Sequence, residues 1–212
     1  MIALIDYGMG NIFSVKKALE LCGAGVLVTN NPADILSCEK IVLPGVGAFD
    51  DAMFELEKQG LVPVIKNEVK SKKPFLGICL GMHLLFENSE EAKIRKGLGI
   101  LKGRVRKFLK GSQKVPHIGW NQVNLNNSGP MADGRWPMQC PLLKNIKDGS
   151  YVYFCHSYYV EPDDKSIVAL TCDYGVDFTA GVWQGNVYGV QFHPEKSQEV
   201  GLKILENFVN LC

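Results

Sequence analysis

Residues 74–85 read PFLGICLGMHLL, and the rest of the fold can be worked out from this stretch. Residues 75–78 form a short apolar run that predicts a buried strand, and residues 81–86 begin a periodic apolar pattern that predicts a helix. Cys79 lies between the two, with Gly77 and Gly81 on either side. A strand that reverses sharply into a helix crowds its own backbone, and glycine relieves the crowding because it has no Cβ atom. The spacing is that of a nucleophile elbow with sulfur in place of oxygen.

The position of Cys79 favours a reactive thiol. The N–H groups at the start of a helix carry partial positive charge, which stabilises a thiolate. The N–H of Leu80, the next residue, would then be placed to stabilise an oxyanion. The alternative interpretation is a small buried hydrophobe, because a cysteine after an apolar strand commonly plays that part. A nucleophilic Cys79 therefore requires a partner base elsewhere in the chain.

Composition limits the classes of partner and location. The chain has 212 residues, enough for one sizeable core, so a single domain over residues 1–212 is expected. With 23 Lys and Arg against 22 Asp and Glu, neither nucleic acid nor an anionic membrane is indicated as a partner. Seven cysteines without a C-x-x-C pair favour a reducing compartment. The opening residues MIALIDYGMGN lack a basic region followed by a long apolar segment, and no run elsewhere is long enough for a membrane helix, so we expect a cytoplasmic protein.

Strand and helix patterns alternate through the first 86 residues. The alternation predicts an α/β fold with a mostly parallel sheet and helices on both faces. Strands are predicted at residues 2–5, 26–28, 40–43 and 75–78, and helices at 12–22, 32–36, 50–59 and 63–71.

The second part of the chain is rich in β-branched and aromatic runs that predict a mixed or antiparallel C-terminal extension. Residues 126–141 carry many turn residues without periodicity and are expected to form a surface insertion. A closing amphipathic helix is predicted at residues 197–211, with Ser197 as its N-cap. The predicted strands are residues 103–108, 118–125, 151–160, 167–172, 179–183 and 187–192.

Two glycine-rich loops follow predicted strands. Residues 6–11 read DYGMGN, and residues 44–49 read PGVGAF. Functional loops collect at the carboxyl ends of the strands of a doubly wound sheet, so the second loop could supply another N–H donor beside Cys79, although an ordinary strand-to-helix turn has the same pattern. The first loop lacks the third glycine of a nucleotide-binding motif, which favours a tight loop at a functional or interface edge over a phosphate site.

A base and its orienting carboxylate follow the last predicted strand, in the sequence QFHPE at residues 191–195. If the chain stays extended, as Pro194 favours, His193 and Glu195 point to the same side. His193 can then take the thiol proton while Glu195 holds the other ring nitrogen. Each residue alone could be a structural histidine or a solvated carboxylate, and their combination with Cys79 favours catalysis. The other histidines show no metal-ligand spacing, so no metal is predicted.

The motifs GICLGM, PGVGAF and QFHPEK together resemble those of class I, triad-type glutamine amidotransferases over nearly the whole chain. The resemblance implies a flavodoxin-like fold and a glutaminase without cofactors. In that chemistry Cys79 attacks the side-chain amide of glutamine, ammonia leaves, and water hydrolyses the γ-glutamyl thioester to glutamate. His193 moves the proton and Glu195 orients His193. The catalytic triad would be Cys79, His193 and Glu195.

The same resemblance implies further site residues. The Leu80 N–H and the backbone at Val46 and Gly47 would form the oxyanion hole. His83 stands where the family usually has glutamine, and its imidazole can still donate and accept hydrogen bonds. The implied contacts for bound glutamine are Gly47, His83, His156, Ser157 and Tyr158.

Within the family, the segments DYGMGN, PHIGWN and HSY resemble those of the glutaminase subunits of imidazole glycerol phosphate synthase. That resemblance implies a heterodimer with a (β/α)8-barrel cyclase subunit, which receives the ammonia and makes imidazole glycerol phosphate and AICAR in histidine biosynthesis. Low activity of the lone subunit is expected, with activation by the nucleotide-loaded cyclase. The implied interface residues are Asn11, Trp120, Gln122 and Lys196.

Three other functions remain open from the sequence. A paralogous subunit could supply ammonia for surface-sugar biosynthesis with the same chemistry. A γ-glutamyl hydrolase would need an open pocket for a longer substrate, and the PHIGWN segment argues against it. A binding module with a decayed site is disfavoured, because the three reacting groups Cys79, His193 and Glu195 are all present.

Overall fold

The computed structural model describes residues 1–109, 111, 113–126 and 139–212. Most of the insertion expected at residues 126–141 therefore lies outside the described residues. Within the described ranges, no helix combines the length and the apolar character that a membrane span requires.

The first strand, β1, shows why the chain forms a sheet that is covered on both faces. Strand β1 comprises Ile2–Ile5, and all four residues are buried. Ala3 and Ile5 belong to one hydrophobic cluster, whereas Ile2 and Leu4 belong to a second. Since successive side chains of a strand point to opposite faces, the two clusters lie on opposite sides of the sheet. A strand buried on both faces is a continuous apolar run, as this one is.

Strands and helices alternate as far as residue 89, with α3 and α4 as a consecutive pair. The helices in this part are α1 (Ile12–Leu21), α2 (Pro32–Ser37), α3 (Phe49–Lys58), α4 (Leu61–Lys70) and α5 (Leu80–His83). The strands are β2 (Val26–Thr29), β3 (Lys40–Leu43), β4 (Phe75–Ile78) and β5 (Phe86–Ser89). The elements that follow are β6 (Leu101–Lys107), β7 (His117–Leu125), β8 (Ser150–His156), β9 (Tyr158–Pro162), β10 (Val168–Asp173), β11 (Asp177–Gln184), β12 (Val187–Val190) and α6 (Gln198–Leu211).

Five parallel strands form the centre of the sheet in the order β2-β1-β3-β4-β12. This is the 2-1-3-4-5 order of flavodoxin-like folds, with β12 as the fifth strand. The buried hydrophobic residues of α2, α3 and α4 belong to the cluster that contains Ala3, and those of α1 and α6 belong to the cluster that contains Leu4. Helices therefore cover both faces, which confirms the predicted α/β fold. The carboxyl ends of β1, β3, β4 and β12 meet at one edge, where such folds place their sites.

An antiparallel extension continues the sheet from β12 through β11, β10, β7 and β8. Strand β9 pairs with β11 and β6, and β6 pairs in parallel with β5. The mixed extension is therefore confirmed. The single strand predicted at residues 151–160 is wrong, because the chain changes partners at Ser157. Before that residue β8 lies on β7, and after it β9 lies on β6 and β11.

The helix predicted to begin at residues 81–86 is only one turn long. It ends at His83, and Phe86 already begins β5. The carbonyls of Leu84 and Leu85 accept hydrogen bonds from the returning segment at residues 98–101. That distant segment takes the acceptors that a longer helix would need, so the apolar periodicity of residues 81–86 was a misleading signal.

Helix α6 begins where predicted, but Ser197 does not cap it. Ser197 occupies the N-cap position, and its side chain makes no capping hydrogen bond. Its hydroxyl donates to the carbonyl of His193 at 2.7 Å and accepts from the N–H of Tyr153 at 3.0 Å. Ser197 therefore fastens the segment before α6 to β8.

Gly81→Ala tests the packing of β3 against the start of α5. An added Cβ would lie 1.9 Å from the carbonyl oxygen of Leu43, so the two elements would have to separate. We expect the free energy of unfolding to fall by at least about 1–3 kcal/mol, as in other overpacked cores, in a denaturant titration. Gly111→Ala is the control, because a Cβ there meets no atom of the described residues within 4 Å. Equal stability of the two variants would contradict the packing argument.

Candidate active site

Cys79 is the single residue between β4 and α5, and its backbone is unusual. Its φ is +52° and its ψ is −110°, a combination that residues other than glycine rarely adopt. Its N–H donates to the carbonyl of Val190 at 2.8 Å, and its carbonyl accepts from the N–H groups of Met82 and His83 at 3.0 and 3.2 Å. Its exposed fraction is 6%. The backbone thus fixes the thiol at the carboxyl edge of the sheet.

The glycines that flank Cys79 are required by contact. A Cβ on Gly77 would lie 2.6 Å from the carbonyl oxygen of Gly81, and one on Gly81 would meet the carbonyl of Leu43. Both neighbours are backbone atoms, which cannot swing aside as a side chain can. The crowding predicted for the strand-to-helix reversal is therefore confirmed. We call residues 77–81 the Cys79 elbow.

The loop at residues 44–49 lies directly against the Cys79 elbow. A Cβ on Gly45 would lie 2.7 Å from the hydroxyl oxygen of Tyr7 and 2.9 Å from the Cβ of Leu80. The Tyr7 hydroxyl donates to the carbonyl of Pro44 at 3.0 Å. The loop is therefore held between Tyr7 and the residue that follows Cys79. The backbone at Gly45 therefore lies beside the elbow.

Two features of this edge concern the oxyanion residues expected from the sequence. Val46 is exposed, and Gly47 has a φ of +97° that favours glycine.

Tyr7, which the sequence analysis did not single out, is buried at the carboxyl end of β1. Burial raises the pKa of Tyr7, and negative charge on Cys79 adds to the rise. Its hydroxyl therefore stays neutral and can serve as a donor across the physiological range.

His193 and Glu195 lie within hydrogen-bond distance, with Nδ1 of His193 2.9 Å from Oε1 of Glu195. Both side chains are buried. The expectation of an extended chain here is wrong, because Pro194–Lys196 form a 3₁₀ turn. The turn nevertheless brings the two side chains together. Since Nδ1 is engaged by the carboxylate, Nε2 is the nitrogen that can exchange a proton with a thiol.

The surroundings of His193 favour its charged form. Burial disfavours the imidazolium, but the neighbouring Cys79 and Glu195 outweigh burial and raise the pKa of His193 to about 10. His193 therefore carries a positive charge at neutral pH. A thiolate at Cys79 needs such a partner.

Strand β8 holds the histidine segment in place. The N–H of His193 donates to the carbonyl of Tyr153 at 2.9 Å, and Ser197 bridges the same two residues through its hydroxyl. Tyr153 also supports the candidate interface, since the Nζ of Lys196 lies 5.7 Å from its ring centroid and the ring of Trp120 packs edge-on against it. Tyr153 lies opposite Trp120 because β8 pairs with β7. The sequence alone did not reveal this pairing, so it did not single out Tyr153.

The other expected interface residues, Gln122 and Asn11, form hydrogen bonds with different partners. Gln122 lies on β7 and donates from Nε2 to the carbonyl of Gly149 at 3.0 Å. Asn11 is the N-cap of α1 and accepts from the N–H of Ser14 at 3.4 Å. Trp120 remains 45% exposed. Trp120 and Lys196 thus both contact Tyr153, whereas Gln122 bonds to the residue before β8 and Asn11 bonds within the start of α1.

His83 is buried, and its Nε2 lies 2.8 Å from Oε1 of Gln191. The Nε2 of Gln191 lies 3.8 Å from Sγ of Cys79. Burial lowers the pKa of His83 to about 4, so its ring is neutral at neutral pH. His83 therefore reaches the sulfur through Gln191. The sequence analysis missed Gln191, although its position two residues before His193 places both on one side of an extended chain.

The segment His156, Ser157 and Tyr158 lies at the junction of β8 and β9. Nδ1 of His156 is 2.8 Å from the carbonyl oxygen of Tyr158, and Nε2 is 3.0 Å from Nδ1 of His117. A carbonyl only accepts, so Nδ1 of His156 carries the proton and its Nε2 accepts from His117. Burial lowers the pKa of His117 to about 4 and that of His156 well below its ordinary value. Both rings are therefore neutral, and both nitrogens of His156 are engaged.

Glu195→Gln tests what sets the charge of His193. An amide in place of the carboxylate removes an interaction that favours the imidazolium, so the pKa of His193 should fall from about 10. The measurement is an NMR titration of the ring signals. His83, His117 and His156 all have lowered pKa values, so His193 should be the one histidine that titrates on the basic side. A wild-type His193 that titrates near the ordinary value of about 6.5 would contradict this account.

Residues 3–212 match the family described as glutamine amidotransferase class-I. The chain is 50% identical to the imidazole glycerol phosphate synthase subunit HisH of Syntrophotalea carbinolica, with 98% of each chain covered. It is 51% identical to HisH of Bacillus cereus, over 98% of this chain and 93% of the relative. It is 49% identical to HisH of Methanocaldococcus jannaschii, over the full length of both.

Solved structures of low identity share the fold. A crystal structure of a glutamine amidotransferase superimposes with a TM-score of 0.74 at 16% identity, covering 98% of this chain and 99% of the other. The structure of PurLQS from Thermotoga maritima gives 0.73 at 20% identity, covering 99% and 97%. The chain therefore belongs to the class-I glutamine amidotransferases and, within them, to the HisH subunits of imidazole glycerol phosphate synthase.

Proposed function

We propose that Cys79 of this chain hydrolyses glutamine, and that the ammonia passes to a cyclase subunit in histidine biosynthesis. The observation that carries the proposal is the meeting of the Cys79 elbow with the His193 and Glu195 pair at one edge of the sheet. Sequence identity of 49–50% to HisH subunits over nearly the whole chain supports the cyclase as the destination of the ammonia.

In the first half of the reaction, the Cys79 thiolate attacks the side-chain amide carbon of glutamine. A carbon–sulfur bond forms and the carbonyl oxygen becomes an oxyanion. The His193 imidazolium then gives its Nε2 proton to the amide nitrogen. The carbon–nitrogen bond breaks, ammonia leaves, and a γ-glutamyl thioester remains on Cys79.

In the second half, neutral His193 takes a proton from water as the water oxygen attacks the thioester carbon. The tetrahedral intermediate collapses, the carbon–sulfur bond breaks, and glutamate leaves. The thiolate and the imidazolium are restored. The contact of Glu195 with Nδ1 of His193, 2.9 Å long in this structure, would keep Nε2 directed toward the reaction and stabilise the ring when it is charged.

The oxyanion of both intermediates would be stabilised by the Leu80 N–H and by the backbone at Val46 and Gly47. The close contact of Gly45 with Leu80 supports this assignment, because it brings the loop and the elbow within reach of one substrate oxygen. The hydrogen bond from the Tyr7 hydroxyl to the carbonyl of Pro44 also supports the assignment, because it holds the loop in place. Donors that are fixed before the reaction stabilise developing charge without reorganisation.

The α-amino and carboxylate groups of glutamine would be held by the backbone at Gly47, His156, Ser157 and Tyr158. The ring of His156 is committed to Tyr158 and His117, which supports a contact through its main chain. Ser157 and Tyr158 are half-buried and lie where β8 leaves its partner strand. His83 would influence the site through Gln191.

The cyclase, a (β/α)8 barrel, would dock at the edge that carries Trp120, Gln122, Lys196 and Asn11. The 45% exposure of Trp120 supports this, since partly exposed tryptophans commonly anchor interfaces. Trp120 packs on Tyr153, whose carbonyl holds the N–H of His193. Docking at this face would therefore act on the strand that positions the base.

Glutamate release from glutamine tests the proposed chemistry. We expect the lone chain to release glutamate slowly, and a cyclase subunit with its nucleotide substrate to accelerate the release strongly. In Cys79→Ala the rate of release should fall by at least about a thousandfold under both conditions, because the nucleophile is absent. Retention of release in Cys79→Ala would contradict the proposed nucleophile. A lone chain at full rate would contradict activation by the partner.

Trp120→Ala tests the proposed docking face. Loss of a central aromatic anchor should cost about 2 kcal/mol of binding, or roughly thirtyfold in the Kd for the cyclase, measured by titration calorimetry. Leu21→Ala is the matched control. Leu21 is also exposed, and it lies at the far end of α1, which runs away from the carboxyl edge. Equal effects of the two substitutions would refute the assignment of this face.

A further inference from the structure

The side-chain amide of Gln191 lies between the sulfur of Cys79 and the ring of His83. Gln191 follows β12 directly, and β12 pairs in parallel with β4, the strand that leads into Cys79. Its Nε2 is 3.8 Å from Sγ of Cys79, and its Oε1 is 2.8 Å from Nε2 of His83. Gln191 is fully buried and His83 is 4% exposed. The buried Gln191 amide therefore contacts both the proposed nucleophile and the ring of His83.

The polarity of these contacts fixes the orientation of the amide. A thiolate accepts hydrogen bonds and repels a carbonyl oxygen, so the amide nitrogen faces the sulfur. The amide oxygen then faces His83 and can only accept, so the proton of the neutral ring is on Nε2. Each contact supports the other, because the His83 donor prevents the Gln191 amide from turning over.

We propose that Gln191 is a catalytic residue that donates a hydrogen bond from Nε2 to the Cys79 thiolate, and that His83 is the positioning residue that holds the amide in this orientation. The proposal rests on Cys79 being the nucleophile of the proposed function.

The chemistry of the amide suits this role. Cys79 is 6% exposed, so a thiolate formed there in the proposed reaction would keep little hydration and would depend on hydrogen-bond donors of the protein. The His193 proton must move to the leaving nitrogen, whereas the Gln191 amide proton does not transfer. Gln191 therefore stabilises the sulfur without competing for the proton on which the reaction depends. Hydrogen bonds to a charged acceptor are also stronger than those to a neutral one.

Several titratable groups surround the two residues. His193 faces the sulfur from the end of β12, with Glu195 behind it. Tyr7 approaches from the carboxyl end of β1, and His156 lies near His83. Because burial lowers the pKa of His83 to about 4, His83 itself stays neutral above that pH and adds no charge to the site.

The test is the pH dependence of Cys79 alkylation by iodoacetamide, followed by mass spectrometry of the peptide that contains Cys79. Gln191→Met removes the donor with little change in size, and His83→Phe removes the positioning contact. Both should slow alkylation at neutral pH by about tenfold and move the midpoint to higher pH. His83→Gln restores a donor to the amide oxygen and should recover most of the rate. Kinetics should show kcat falling more than KM changes.

Asn207→Leu is the matched control, because it removes another buried amide, one that donates to the carbonyls of Leu142 and Lys144. It should lower stability and leave the alkylation midpoint where it is in the wild type. An unchanged midpoint in both Gln191→Met and His83→Phe would overturn the proposal, as would an equal shift in Asn207→Leu. A fall of the midpoint in Gln191→Met would also overturn it, because the amide oxygen would then face the sulfur. Alkylation reports on this contact even if glutamine proves not to be the substrate.

Discussion

The contact between Gly81 and the carbonyl of Leu43 is the constraint on which the site depends. The two backbones approach so closely that no Cβ fits between them, and this contact lets the chain reverse within one residue after β4. The reversal places Cys79 at a φ of +52°. A non-glycine residue in such a region costs about 1–3 kcal/mol, and the hydrogen bonds at its N–H and carbonyl hold it there. The backbone consequently fixes the point at the carboxyl edge of the sheet from which the Cys79 side chain projects.

The other parts of the site come from strands that neighbour β4. The loop after β3 lies on one side of the elbow, and the segment after β12 lies on the other. Strand order therefore brings the proposed oxyanion donors and the proposed base to the same edge. Because helices bury both faces of these strands, the loops at the carboxyl edge are the positions at which the fold leaves residues free to vary with function.

Local patterns were sufficient to predict the parallel sheet and the elbow. Continuous apolar runs marked the strands, and Gly77 and Gly81 marked the close approach. The pairing of His193 with Glu195 was predicted from their spacing, although a 3₁₀ turn and not an extended chain produces it. Contacts between distant residues were not predictable. The segment at residues 98–101 takes the acceptors that would extend α5. Gln191 contacts His83, which is 108 residues away in the sequence. Neither contact has a signal in the local sequence.

The buried histidine pair of His117 and His156 has a consequence for proton uptake on unfolding. Their folded-state pKa values are lowered by burial, while an unfolded histidine titrates near about 6.5. Above that pH both states are neutral and the pair has no effect on the pH dependence of stability. As the pH falls from about 6.5 toward about 4, the unfolded chain binds protons that the folded chain excludes, so the folded state loses stability. The rings at the junction of β8 and β9, the segment proposed to hold glutamine, therefore contribute to the loss of stability in mild acid, as does the buried ring of His83.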